Sequence, residues 1–340
     1  GVLWAWEWAA SNRRWGWGCM ASGVFLALSL TAGHPQFAFY VGLAAVLYMA
    51  WRSPRQAAWC VPVTVAAAFV LGAATLLPVA EASRINHRAD TGGFESSVKL
   101  RLPPEYLAGL VLPNVLGNPR DYVKTVDGAP QPGNPYIGKY DFIEYCHYAG
   151  VGTLILALVG LVAAFRKPHV RFLVVLGLLA LALALGTWVG APFYYLIPGY
   201  AQFHAPARAV CLMVFALCAL AAFGVGAIED AVHSAPDELS RVLRIGVITA
   251  AACGAVAVVA WPLMGLGFRD LLSDQWIAYE ATGVRHAVLV AAMAGALLWL
   301  AFRAASARGR TMALAGLPIL CAADLLIWGA GFNPATDPAM

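Results

Sequence analysis

Charge is what this chain has least of. Lys, Arg, Asp and Glu make up 12% of its 340 residues against 61% hydrophobic ones, and the mean hydropathy is +0.71. So little charge excludes an ordinary soluble surface. The net charge of +4 forms no block, so nucleic acid is not an expected partner. Cysteine is sparse as well. The seven present make no CxxC pair and only Cys146 lies in a long polar segment, so neither a disulfide framework nor a zinc site is indicated. A Walker A lysine loop is lacking, as is a GxGxxG ahead of a βαβ unit, so no nucleotide is expected. Period-two alternation is missing too, which argues against a β-barrel. The halves show no obvious inverted repeat, which weakens the case for a secondary transporter.

What the chain does have is a succession of apolar runs near or above ~18 residues, the pattern of an all-α polytopic membrane protein. About nine full transmembrane helices are expected after a partial one in residues 1–10. They fall near 15–32, 36–51, 57–80, 150–165, 172–189, 209–228, 245–264, 286–302 and 312–330, with an amphipathic segment near 268–282. Residues 1–340 read as a single transmembrane domain. Gly1 opens on half a helix and Met340 follows the start of a polar turn. The expectation is therefore a piece of a longer protein, without its first helices, first outer loop and C-terminal region.

Basic turns at 11–14, 52–55, 166–171, 241–244 and 303–310 hold most of the arginine and lysine outside the long loop. The short loops opposite hold only Arg208, Arg269 and Arg285. Positive residues stay in the cytoplasm, which puts the polar loop 81–149 outside. The GHPQ tip at 33–36, the FHAPAR segment at 203–208 and the closing GFNP fall on that side as well.

Candidate chemistry follows from those outer segments. His34 and Gln36 sit on a hairpin tip between short helices and carry donors and acceptors suited to a phosphate or a sugar hydroxyl; a simple Gly-Pro turn in interfacial water is the plainer account. Glu81 and Arg84 share a helical face where the loop begins and either pair with each other or present Arg84 to a lipid phosphate. PPEYLAGLVLP reads as a short interfacial helix, and 118–135, rich in Gly, Pro, Asn and Asp, as irregular chain. At the loop's end a helix would align Asp141, Glu144 and Tyr148, and carboxylates beside aromatic rings suit a sugar; an interfacial aromatic belt has the same composition. His204 and Arg208 flank Pro206 at a helix start, where the dipole favours an anion, although Arg208 would also snorkel there. Asp324, inside the last helix, is either functional or hydrogen-bonded to a neighbouring helix, and Glu7 among tryptophans has the same two readings.

AGHPQFAFY, PVAEASR, PEYLAGLVLPNVLGNP, IEYCHYAGVGTLILAL, FHAPAR and the closing GFNP, in that order over most of the chain, resemble bacterial YfhO-like membrane proteins. FHAPAR departs from the commoner form, which has arginine after the phenylalanine; this bears on His204. The resemblance implies a GT-C-type glycosyltransferase fold in the bacterial cytoplasmic membrane. Such an enzyme takes a sugar from a polyprenyl-phosphate-linked donor and passes it to an envelope acceptor, a polymer, lipid or protein, on the extracytoplasmic face. It also implies that the catalytic carboxylate lies in the first outer loop, upstream of Gly1, so no catalytic residue is assigned within the chain. Arg208, His204, Arg84, His34 and Gln36 are then candidates for the lipid-phosphate donor, and Asp141, Glu144, Tyr148 and Glu81 for sugar or acceptor. The residues leave the part of a divalent metal open. The rival expectations are a transporter or flippase of lipid-linked sugars or polysaccharide, and a non-enzymatic envelope-assembly protein.

Overall fold

A computed structural model describes residues 1–85, 93–113, 115–117, 123–126, 129–132, 142–197, 199–232, 236–267, 274–304 and 306–329. The described chain is helical apart from one short hairpin, and it divides into two compact units. The first comprises Gly1–Leu102 and Val175–Met213, the second Pro103–Val174 and Val214–Met340.

The first unit begins with α1 (Val2–Asn12), α2 (Trp15–Thr31), α3 (Pro35–Arg52), α4 (Pro54–Leu71) and α5 (Ala73–Ile85). Arg13 closes α1 in the left-handed region at φ 56°, which turns the chain back so that α2 packs along α1. Small residues make the close approaches: Gly18 lies against Ala9, and Gly23 against Ala67 and the Thr64 carbonyl. Polar side chains inside these apolar helices bond to neighbouring backbone, Ser22 Oγ to the Val2 carbonyl at 3.3 Å and Thr64 Oγ1 to that of Cys19 at 3.3 Å. The single helix expected over 57–80 is two. It breaks at Gly72, whose N–H still bonds to the Ala68 carbonyl at 2.8 Å and where a Cβ would stand 2.9 Å from that oxygen. Beyond the single turn α6 (Phe94–Ser97), the unit resumes with the end of α9 (Pro168–Ala184) and α10 (Ala191–Leu196). The fifth expected helix stops at Ala184, short of 189. Gly186 turns into the left-handed region at φ 65°, Thr187 Oγ1 caps the Ala182 carbonyl at 2.8 Å, and the following segment bends by 102°.

The second unit holds a short hairpin, β1 (Val123–Val126) with β2 (Ala129–Pro132), in register from Val123 opposite Pro132 to Val126 opposite Ala129. It interrupts the stretch expected to be irregular, and the intervening Asp127-Gly128 is a dipeptide that two-residue hairpins favour. PPEYLAGLVLP forms a 3-10 helix at Pro104–Leu110 with Tyr106 buried, so this tyrosine packs inside the unit and does not lie on a lipid surface. After α7 (Phe142–Tyr145) come α8 (Val151–Ala164), α11 (Val210–Val232), α12 (Pro236–Gly267), α13 (Asp274–Arg303) and α14 (Ala307–Gly329). α12 and α13 are longer than the apolar runs at 245–264 and 286–302 because polar flanking residues continue the helix. Within this unit α8 packs against α12, α13 and α14 around buried Val151, Ile155, Leu243 and Leu298.

Among the described residues, five helices are long and apolar enough to cross a membrane: Pro54–Leu71, Pro206–Val232, Leu239–Val259, Thr282–Arg303 and Ala307–Gly329. The bent pair Pro168–Ala184 with Trp188–Leu196 makes a sixth if it is one span. Trp15–Thr31 and Val151–Ala164 are apolar but shorter. Pro35–Arg52 has the length but carries Gln36, Tyr40, Tyr48 and Arg52 along it. Large apolar side chains stay outside on these helices, among them Val70, Leu178, Ile319 and Leu326, each more than 60% exposed. A surface of that kind is what lipid covers, and the chain is a multi-pass membrane protein.

Candidate functional site

Two polar constellations stand out, one in each unit. The first begins at the hairpin tip. Gly33 ends α2 at φ 90°, His34 is extended, and Pro35 opens α3, so Gln36 falls in the first helical turn pointing inward, 3% exposed. Its side-chain Nε2 donates to the Ala205 carbonyl at 2.8 Å and to the Tyr40 hydroxyl at 3.1 Å, and Oε1 accepts from Arg208 Nη1 at 2.9 Å. One buried amide thus ties the GHPQ tip to FHAPAR across about 170 residues of sequence. Arg208 sits in the 3-10 turn Pro206–Ala209 that leads into α11, half-buried, with Pro206 and Ala207 packed inside. His204 is half-buried two residues before that turn, and the His34 ring meets Phe37 edge-on at 4.9 Å.

Beside the amide lies a cavity of about 10 Å³ lined by Gln36, Tyr40, Phe94, Thr187, Tyr200 and Phe203. The hydroxyls of Tyr40 and Tyr200 hydrogen-bond each other, and burial pushes the Tyr200 phenol up, so it stays protonated. Phe39 packs on Tyr200 and Phe203 at 5.2 and 5.6 Å. The combination is a guanidinium just before α11, held by an amide that also lines the aromatic-walled cavity; such a guanidinium suits an anion.

The second constellation centres on Asp324, 1% exposed near the end of α14. Its Oδ1 accepts from the Tyr148 hydroxyl at 2.7 Å and faces His286 Nε2 at 2.7 Å, while Oδ2 accepts from the Val151 N–H at 2.9 Å. The carboxylate therefore caps the start of α8 from another helix, an interaction the helix dipole reinforces. Gly150, at φ 93°, allows the approach, since a Cβ there would lie 3.1 Å from Oδ2. Trp328 packs on Tyr148 at 5.5 Å. Asp324 is thus hydrogen-bonded to groups outside its own helix.

The helical face expected for Asp141, Glu144 and Tyr148 does not form. α7 ends at Tyr145, and the chain runs irregularly to Gly150 because Tyr148 turns to Asp324. Glu144 is half-buried on α7, and Asp141 lies outside the described residues. Glu81 is exposed on α5, and Arg84 follows three residues later in the same helix. Glu7 accepts from Tyr48 at 2.7 Å and from Arg52 Nε at 3.0 Å, so it belongs to a charge pair at the basic end of α3. GFNP lies outside the described residues. Among the described residues no three His, Cys, Asp or Glu side chains gather as a metal site.

Sequence reasoning missed His286, Tyr40 and Tyr200. A histidine within an apolar span is itself a signal, but its partner stands 38 positions away on a different helix. His147 belongs to the same loop exit as Glu144 and Tyr148. It is buried, its Nδ1 lies 2.7 Å from the Tyr145 carbonyl, and it lines a cavity of about 30 Å³ with Tyr106, Gly109, Leu116 and Phe142. Comparison of the chain with protein-family models, curated proteins and solved structures finds no match.

Proposed function

We propose that the chain is a multi-pass membrane glycosyltransferase of the GT-C type, YfhO-like, with about nine spans and the long loop on the extracytoplasmic face of a bacterial cytoplasmic membrane. It transfers a sugar from a polyprenyl-phosphate-linked donor to a cell-envelope acceptor. The observation that carries this reading is the Gln36–Arg208 hydrogen bond at 2.9 Å. It joins two motifs far apart in the sequence and holds a guanidinium just before α11, on an amide that also lines an aromatic-walled cavity. A lipid phosphate is the anion such a site suits.

The reaction is a single displacement at the anomeric carbon. The acceptor oxygen bonds to that carbon as the carbon–oxygen bond to the lipid phosphate breaks, and Arg208 stabilises the charge growing on the departing phosphate. Gln36 positions Arg208, and the Tyr200 and Phe203 rings face the sugar or first lipid unit. Incubating the full-length protein in detergent with radiolabelled polyprenyl-phosphate-sugars and envelope extract tests this. Label should move to an acceptor, and Arg208→Ala should lower that transfer about 100-fold, the scale of a lost charge-stabilising donor. Donor binding without sugar release, across several sugars, would move the reading to a transporter of lipid-linked sugars. That second reading has one observation of its own, the buried carboxylate–histidine pair within the spans.

A further inference from the structure

The loop exit holds a buried group that the donor-side reading does not use. His147 is 5% exposed, and its Nδ1 lies 2.7 Å from the Tyr145 carbonyl. A carbonyl only accepts, so Nδ1 carries the proton and Nε2 keeps the lone pair of a neutral ring. Burial pushes the imidazole below the usual histidine range, which favours that form at neutral pH. Among the described residues Nε2 has no hydrogen-bond partner, and a buried acceptor left unmet is costly. The ring faces Gly109, which lines the same cavity. Room before Nε2 exists because this residue has no side chain: a Cβ there would stand 3.4 Å from the nitrogen.

The described residues around this cavity all belong to the second unit. No carboxylate, lysine or arginine is among them, so an ammonium would enter uncompensated and an anion would face the lone pair. A neutral O–H donor meets neither cost. The rings of Tyr106 and Tyr145 stand 5.3 Å apart, tilted by 57°, and Leu116 and Phe142 add apolar wall. At about 30 Å³ the cavity takes about two oxygen-sized groups, and with such walls a carbon bearing its hydroxyl matches it better than two waters. We propose that the His147 cavity binds the primary alcohol of a neutral hexose. The hydroxymethyl arm enters the cavity, its O–H donates to His147 Nε2, and its carbon lies against the tyrosine rings. Binding of this kind needs neither Arg208 nor sugar transfer, so it stands apart from the glycosyl-transfer reading.

The test uses the full-length protein in phosphatidylcholine nanodiscs, because detergents with glucose or maltose heads would compete. The probes are methyl glucoside, galactoside and mannoside. Each is paired with the counterpart that has lost only the arm's hydroxyl: quinovoside, fucoside or rhamnoside of the same configuration. In saturation-transfer NMR titrations at least one hexoside should bind about tenfold more tightly than its counterpart, the worth of one buried hydrogen bond. Transfer should be strongest at its hydroxymethyl protons. His147→Asn keeps a donor for the Tyr145 carbonyl but has nothing at the Nε2 position. It should weaken that hexoside about tenfold and leave the counterpart unchanged. Gly109→Ala, which crowds Nε2 and spares the imidazole, should weaken the hexoside about as far. No binding by any hexoside, or equal affinity within every pair, leaves water as the occupant and overturns the proposal. So does a folded His147→Asn protein that still tells hexoside from counterpart. If neither variant folds, the wild-type pairs decide alone. These titrations involve no turnover, so a protein that transfers no sugar sinks the glycosyl-transfer reading and leaves this site standing.

Discussion

At Gln36 every polar atom of the amide is engaged, so the side chain acts as a rivet between α3 and the turn before α11. At His147 the decisive quantity is solvation. Burial pushes its imidazole below the usual histidine range, and the backbone acceptors of Tyr145 and Tyr106 only partly oppose this. A depressed folded value means that the unfolded chain binds the proton more readily. The contribution to stability is thus fully present above the unfolded value of about 6.5 and is lost as pH falls through the folded one. Thermal unfolding in detergent should show the midpoint dropping on acidification from neutral pH, with a flatter dependence for His147→Gln. An equal slope in the two proteins would remove His147 from the account. In the sequence, Gln36 and Arg208 were each legible as candidates because a polar group beside a helix start has few uses. Their partnership was not, since about 170 residues separate them.

Elements in this chain are shaped by glycine as much as by hydropathy. α8 and α11 cross within the second unit at Gly160 and Gly224, where a Cβ on either would run into backbone of the other helix. Without a strong hydrophobic force between helices in lipid, such contact distances determine the packing. Gly224→Leu should therefore force the helices apart and cost about 1–3 kcal/mol, the range for overpacking; Gly226→Leu, with open space around it, should cost little. Unfolding midpoints in detergent compare the two, and equal losses would refute the crossing. Glycine also explains where the helix pattern misled. Apolar composition runs unbroken through Gly72 and past Ala184, so hydropathy reads one helix where the backbone breaks at Gly72 and turns at Gly186. The Asp127-Gly128 hairpin signal was present but lay inside a stretch whose Gly and Pro content suggested no order.

For the whole molecule, the orientation proposed above has β1 facing outward and the start of α14 facing the cytoplasm. A membrane-impermeant thiol reagent applied to intact cells should label a cysteine placed by Lys124→Cys. It should spare one placed by Arg308→Cys until the cells are opened. The reverse pattern would invert the orientation and remove the extracytoplasmic site. The membrane class itself follows from composition alone. Sparse charge and long apolar runs leave helices as the one way to satisfy the backbone in lipid, whatever the tertiary arrangement. Motif residues such as Gln36, Arg208, Tyr148 and Asp324 were visible for a related reason: a polar group amid apolar helix is conspicuous in one dimension. Only the tertiary structure decided which of them meet. Gln36 joins Arg208, Tyr148 leaves its expected helical face for Asp324, and His286 enters from a third helix. Those pairings depend on helix breaks and glycine crossings, which are set by backbone contact at long sequence separation and leave no periodic trace along the chain.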